Sequence, residues 1–137
     1  MNVIINAVNG GDPLDKSNII QKRKILALMN PYGGGGVGRV QGKWENAKAI
    51  LDLAHLDITL KETERANHAY QIIKDEVQID QYDAIVTISG DGLIFECVNG
   101  MMNRPDWKEF IEKVTFGFIP AGTGNGLVKS LLSMSSD

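Results

Sequence analysis

The position of the glycines constrains this fold more than any other feature of the sequence. Most of the fifteen glycines lie in three clusters: GGGGVG at 33–38, SGDG at 89–92 and AGTGNG at 121–126. Each cluster follows an apolar run typical of a buried β-strand, at 25–30, 83–89 and 115–120. A flexible linker would instead mix its glycines with serines and charged residues. The clusters therefore indicate tight backbone loops at the ends of strands.

Helical patterns separate these strands. Apolar residues at helical spacing predict amphipathic helices over 40–54, 66–77, 93–103 and 105–114, with a last helix from 125, and 56–63 alternates like a half-buried strand. The order β-α-β-α-β-α-α-β-α predicts an α/β fold, a three-layer domain whose parallel sheet has helices on both faces. Ligands of such folds bind outside the carboxyl ends of the strands. We therefore expect the three glycine clusters to line one crevice.

Composition excludes several classes of protein. A chain of 137 residues fits one domain, and a net charge of −3 argues against an electrostatic nucleic-acid binder. No apolar run approaches the ~20 residues of a membrane helix, and the start of the chain lacks the basic region of a signal peptide. The single cysteine, Cys97, excludes an internal disulfide and favours a reducing compartment. We expect a cytoplasmic protein whose membrane contact is peripheral.

The first glycine loop has two interpretations. Gly33, Gly35 and Gly38 match the GxGxxG spacing of dinucleotide-binding loops, and Glu62 or Glu64 supplies an acidic partner. That interpretation assigns no function to the other two glycine clusters. The Walker pattern is excluded, since no GK[ST] follows the glycines.

Phosphate binding is the interpretation that explains all three clusters. Glycine lets successive backbone N–H groups point at one anion, and the helix that follows adds its positive end. Arg39 and Lys43 either supply cationic charge or are solvated surface residues. Thr123 and Asn125 in the last cluster either contact a ligand or cap the last helix.

Asp91 is the candidate catalytic residue, because it lies between Gly90 and Gly92 where a buried strand turns into a helix. Phosphoryl transfer needs a carboxylate that accepts a hydroxyl proton. The structural alternative is that Asp91 caps the helix. Glu96 follows one turn later and begins a polar stripe with Asn99 and Asn103, which either steadies a ligand or faces solvent.

The remaining chemically active side chains suggest no site. Cys97 lies among apolar helix residues and is predicted to be a core residue. His55 and His68 lack the spacing of metal ligands, so no metal-ligating residue is assigned.

Four segments together resemble the catalytic domain shared by diacylglycerol, ceramide and sphingosine kinases. They are ILALMNPYGGGGVGRV, LKETERANHA, AIVTISGDGLIFECVNGMMNRPDW and IPAGTGNGL, in this order over about residues 24–133. SGDGL with VNGMMNRPDW is most similar to sphingosine kinases.

The resemblance implies an ATP-dependent lipid kinase that uses magnesium and phosphorylates the primary hydroxyl of a sphingoid base, converting sphingosine to sphingosine 1-phosphate. It implies that Asp91 is the general base and that Ser89 and Asp91 contact the lipid substrate. It further implies a set of ATP-binding residues: Asn30, Pro31, Tyr32, Gly34, Thr63, Glu64, Arg65, Ala66, Asn67, Ser89, Gly90, Gly92, Glu96, Gly122, Thr123 and Gly124.

The sequence departs from the family pattern in two respects. Tyr32, Gly35 and Gly36 stand where family members often carry basic residues, so the charge that binds phosphate falls to Arg39 or Arg65. The family normally continues into a second, mostly β domain that holds much of the lipid site. We therefore expect residues 1–24 to be a lead-in, 25–137 to be a truncated catalytic domain, and the carboxy-terminal lipid-site domain to be missing.

Three alternatives stay open beside a sphingosine kinase. A ceramide or diacylglycerol kinase would use the same motifs. An NAD kinase has a similar glycine–aspartate motif, although NRPDW argues against it. The third is a nucleotide-binding or regulatory module that does not catalyse alone. The expected partners are a lipid substrate and a membrane surface, without nucleic acid.

Overall fold

Four parallel strands form the sheet of this chain, seen in a computed structural model that describes residues 22–33, 38–121 and 133. The strands are β1 (Lys24–Met29), β2 (Asp57–Glu62), β3 (Ala84–Ser89) and β4 (Thr115–Pro120). Their order across the sheet is β2-β1-β3-β4, and every neighbouring pair is parallel. The predicted parallel sheet is confirmed.

The helices connect these strands. They are α1 (Arg39–Leu53), α2 (His68–Gln71) with a π-helical turn at Ile72–Glu76, α3 (Asp91–Met102) and α4 (Trp107–Lys113). The helix predicted from residue 125 lies outside the described residues, apart from Ser133.

The two central strands are buried on both faces, which explains their continuous apolar runs. On one face, Ile25 and Ala27 of β1 belong to a core cluster that also contains Trp44 of α1. On the other face, Leu26 belongs to a cluster with residues of α2, α3 and α4, among them Phe110. The predicted three-layer architecture is confirmed.

The strand register aligns the carboxyl ends of the four strands at one edge. Met29 of β1 pairs with Glu62 of β2 and Ile88 of β3, and Ser89 pairs with Pro120 of β4. The loops that follow these strands therefore leave from the same edge of the sheet, as the sequence predicts.

The helix predicted over 66–77 is wrong in its length and form. The α-helical part begins at His68, and the turn widens to a π-helix at Ile72–Glu76. The guanidinium of Arg104, which is 7% exposed, donates hydrogen bonds to the carbonyls of Ile73 and Val77. These carbonyls lie at the end of the widened turn, so Arg104 stabilises them from a distant part of the chain.

Gly100 lets α3 approach α2 closely. A Cβ atom built on Gly100 would lie 2.8 Å from the backbone oxygen of Tyr70 and 3.2 Å from the Cβ of Ile73. Since neither atom belongs to the end of a flexible side chain, only glycine fits between these two helices without displacement of the backbone.

We expect Gly100→Ala to lower the free energy of unfolding by about 1–3 kcal/mol, because overpacking forces the backbones apart. Gly42→Ala is the matched control: Gly42 lies in α1, and outside its own helix backbone and chain neighbours no described atom lies within 4 Å of its Cβ position. That change should raise stability by about 0.5–1 kcal/mol through helix propensity. Urea unfolding measures both variants, and equal stabilities of Gly100→Ala and the wild type would contradict the close approach.

The ion pair between Arg104 and Asp106 makes stability depend on pH. Arg104 Nε and Nη2 lie 2.8 and 3.1 Å from the two carboxylate oxygens, and these hydrogen bonds lower the pKa of Asp106. A lowered folded-state pKa contributes stability above the unfolded-state pKa, about 3.9, and this contribution is lost as the pH falls through the folded-state value.

We therefore expect Asp106→Asn to be less stable than the wild type at pH 7, with a difference that shrinks toward zero below about pH 4. Urea unfolding at several pH values measures this difference. Asp80→Asn, which removes an exposed partner of Lys113, should change stability little at any pH. A difference for Asp106→Asn that does not vary with pH would contradict the assignment.

Candidate active site

The loop after β1 is a compact turn built by Asn30. Its side-chain Oδ1 accepts a hydrogen bond from the backbone N–H of Tyr32 (3.1 Å), and its carbonyl accepts one from Gly33 (3.2 Å). The ring of Tyr32 is exposed. Asn30, Pro31 and Tyr32 thus lie at the carboxyl edge of the sheet, while Gly34 lies outside the described residues.

Gly38 begins α1 at the same edge. It is the N-cap residue of the helix with a φ of 97°, a left-handed conformation that favours glycine. The N-terminus of α1 therefore faces the carboxyl edge, where helix N–H groups attract anions. Lys43 is exposed on this helix, whereas the side chain of Arg39 lies outside what the structure describes.

The SGDG segment follows β3 at the centre of this edge. Ser89 is buried, and its hydroxyl donates a hydrogen bond to the carbonyl of Gly90 (3.0 Å). Gly90 is the N-cap residue of α3, and Asp91 is the first residue of that helix. Gly90 rather than Asp91 therefore occupies the N-cap position, and the helix begins two residues before the predicted start at Leu93.

The Asp91 carboxyl group is half-buried. Its Oδ1 is shielded from solvent, while the residue as a whole is partly accessible. The first turn of a helix stabilises a negative side chain. The adjacent Gly92 is exposed, and apart from its own helix and chain neighbours no described residue lies within 4 Å of its Cβ position.

The segment after β2 is held by backbone hydrogen bonds to two distant elements. Thr63, which is buried, donates its N–H to the carbonyl of Met29 (2.8 Å) and so extends the ladder between the strands. Asn67 has a left-handed backbone (φ 60°), and its N–H donates to Glu96 Oε1 of α3 (3.2 Å). Glu96 therefore faces the predicted ATP-binding segment rather than bulk solvent.

Two further residues of this segment contact α2, one through its side chain and one through its backbone. Arg65 donates a hydrogen bond from Nη2 to Gln71. Glu64 donates its backbone N–H to Nδ1 of His68 at 3.0 Å. The sequence did not predict this contact of His68, because a histidine without metal-ligand spacing matches no motif, although one placed four residues after Glu64 can reach back to that N–H.

A groove of about 590 Å³ runs between α2 and α3. Asn99 and Asn103 line one side, so the polar stripe predicted to continue from Glu96 is confirmed as a structural feature. Among the apolar residues of that helix, Leu93 and Met101 are buried, whereas Val98 is 39% exposed. The other lining residues are Ala66, Asn67, Tyr70 and Gln71.

The edge thus brings together the predicted residues of three loops, at 30–33, 63–67 and 89–92. Gly122, Thr123 and Gly124 lie outside the described residues, although Ala121 leaves β4 at the same edge, where its N–H donates to the carbonyl of Ser89 (3.1 Å).

Within the described ranges no group of three or more His, Cys, Asp or Glu side chains could hold a metal ion. None of the helices in these ranges has the length and hydrophobicity needed to cross a bilayer.

The fold and the site together define a class of protein: a parallel α/β domain with glycine loops and an aspartate at the carboxyl edge of its sheet. The family model for the diacylglycerol kinase catalytic domain matches residues 24–137. The chain therefore belongs to the diacylglycerol kinase catalytic domain family.

Individual relatives agree with this assignment. Sphingosine kinase 1 from Homo sapiens is 43% identical over 108 residues, which are 79% of this chain and 27% of that protein. Sphingosine kinase 1 from Arabidopsis thaliana is 40% identical over 110 residues, 80% of this chain and 22% of that protein. The chain thus spans about a quarter of the length of these relatives.

A solved structure shares the fold. The crystal structure of a diacylglycerol kinase from Bacillus anthracis strain Sterne matches with a TM-score of 0.63 at 26% identity, covering 80% of this chain and 34% of the other.

Cys97 is predicted to be chemically inert, since only the thiolate is a nucleophile. It is fully buried in α3, and burial, with a smaller effect of the Glu96 carboxylate, raises the pKa of its thiol. We expect no labelling by a thiol reagent at pH 8 until denaturant unfolds the chain. A Leu53→Cys variant provides an exposed thiol as the control, and labelling of both cysteines at similar rates would contradict the burial of Cys97.

Proposed function

We propose that this chain is the nucleotide-binding part of an ATP-dependent lipid kinase that phosphorylates the primary hydroxyl of a sphingoid base. One observation carries the proposal: the partly accessible carboxyl group of Asp91 lies at the sheet edge from which the loops after β1 and β2 also leave. The identity with sphingosine kinases from a plant and a mammal supports the same reaction.

In this proposal the nucleotide lies along the carboxyl edge. The turn at Asn30–Tyr32 and the N-terminus of α1 bind its phosphates through backbone N–H groups. The segment from Thr63 to Asn67, with Glu96 behind it, borders the rest of the nucleotide. The proposed ATP contacts also include Gly34, Ser89, Gly90, Gly92, Gly122, Thr123 and Gly124.

Asp91 is the proposed general base. Its carboxylate accepts the proton of the lipid hydroxyl as that oxygen attacks the γ-phosphorus. A new oxygen–phosphorus bond forms, the bond to the β-phosphate oxygen breaks, and ADP leaves. Ser89 beside it contributes to binding of the acceptor alcohol.

Magnesium fits this site as a phosphate-bound ion. Mg²⁺ in kinases is usually held by substrate phosphates and one or two carboxylates rather than by an all-protein cage. Asp91, whose Oδ1 is shielded from solvent, and Glu96 are the carboxylates at this edge that could take part. When bound, the ion neutralises charge on the transferring phosphoryl group.

The lipid preference rests on the relatives rather than on the site. Gly100, Arg104 and Asp106 belong to the segment that is most similar to sphingosine kinases, yet their contacts are with α2 and with one another. Their role in the described structure is therefore helix packing. A second domain that holds the lipid tail, and peripheral contact with a membrane, are part of the proposal.

A catalytically incomplete, nucleotide-binding or regulatory part is the second candidate function. The matched residues correspond to 22% of the Arabidopsis thaliana sphingosine kinase and 27% of the human one. Binding of ATP without phosphorylation of any lipid would distinguish it from the kinase.

The substrate test uses labelled ATP with sphingosine, ceramide and diacylglycerol, added to this chain and to a longer product of the same reading frame. Label in sphingosine 1-phosphate supports the proposed substrate. Label in ceramide or diacylglycerol alone would replace it with one of the other lipid kinases.

In a preparation that shows turnover, we expect Asp91→Asn to lower kcat on the order of 10²–10⁴-fold, the loss typical of a missing general base. ATP affinity should change little, because the amide keeps the size of the carboxylate. Asp52→Asn, an exposed substitution on α1, is the matched control and should keep full activity. Full turnover by Asp91→Asn would contradict the assignment of the base.

A further inference from the structure

We infer that His68 is a positioning residue, which holds the backbone from Glu64 to Asn67 in the conformation that binds ATP. This inference rests on the proposed function, since that segment is the proposed border of the nucleotide. It assigns a task to a histidine that the proposed chemistry does not otherwise use.

His68 is placed as an internal anchor. Although it is the first residue of α2, its side chain is only 8% exposed. Its Nδ1 accepts the hydrogen bond from the Glu64 N–H at 3.0 Å, so this nitrogen carries no proton in the arrangement seen. The imidazole therefore connects the helix to the start of the segment.

The other anchors of the segment come from different elements. The carbonyl of Met29 in β1 accepts the N–H of Thr63, and the carboxylate of Glu96 in α3 accepts the N–H of Asn67. Asn67 is held in a left-handed conformation that few residues other than glycine adopt. Among the contacts that the structure describes, His68 supplies the only side-chain hydrogen bond to the backbone of Glu64. Loss of this side chain would therefore leave the backbone between Thr63 and Asn67 without an anchor at Glu64.

The geometry of the acceptor provides a matched set of variants. Oδ1 of asparagine and Nδ1 of histidine are both attached to Cγ, so His68→Asn places an acceptor at nearly the same point. His68→Gln has the same amide one methylene further out, and His68→Leu has no acceptor. If His68 only filled space, His68→Asn would not resemble the wild type more closely than His68→Gln does.

Two measurements on the 137-residue chain test the inference. Amide hydrogen exchange by NMR, without nucleotide, reports the hydrogen bond of Glu64, and calorimetric titration with ATP reports affinity. We expect His68→Leu and His68→Gln to speed exchange at Glu64 and to weaken ATP binding by about fivefold, the effect of one lost hydrogen bond. His68→Asn should keep both properties near those of the wild type.

His55→Asn is the control, because His55 is exposed and has a φ of 52° that asparagine tolerates. It should alter neither measurement.

If His68→Leu does not fold, as judged by circular dichroism, the comparison of His68→Asn with His68→Gln decides the question. Equal ATP affinity and equal Glu64 exchange in that pair would overturn the inference. Failure of the wild type to bind ATP would instead overturn the proposed function, while exchange at Glu64 still shows whether His68 anchors the segment.

Discussion

The burial of β1 and β3 on both faces is the constraint on which the rest of the structure depends. Such strands need helices above and below the sheet, and each helical connection returns the chain to the amino edge before the next parallel strand begins. Every loop after a strand must then leave at the carboxyl edge. This is why the segments at 30–33, 63–67 and 89–92, far apart in sequence, leave the sheet at the same edge as Asp91.

The packing of α2 against α3 adds the precision that the sheet alone does not provide. Gly100 allows the two backbones to approach, and Arg104 binds the carbonyls at the end of the π-helical turn. With the helices fixed in this way, Glu96 of α3 reaches the N–H of Asn67 and His68 of α2 reaches that of Glu64. The packing of these helices thus contributes to the geometry of the proposed nucleotide-binding segment.

Sequence patterns predicted the strands to within one residue, because a strand buried on both faces is a continuous apolar run bounded by turn residues. They were less accurate for the helices. The turn at Ile72–Glu76 widens where Arg104 binds it from more than twenty-five residues away, and no local pattern records that contact. Asp91 falls inside its helix because Gly90 takes the cap position, a choice that depends on how β3 leaves the sheet.

By itself, the sequence determined the alternation of strands and helices, the edge at which the glycine loops lie and the candidate base, since periodicity and glycine placement are local properties. Only the tertiary structure decided which of Asp91 and Gly90 caps α3, which partner Glu96 faces and what His68 does. The contact of Glu96 with Asn67 joins segments 29 residues apart in the chain, so its geometry exists only once the helices have packed on the sheet. The cap at Gly90 and the contact of His68 with Glu64 are local in sequence, but they depend on backbone conformations that no sequence pattern records.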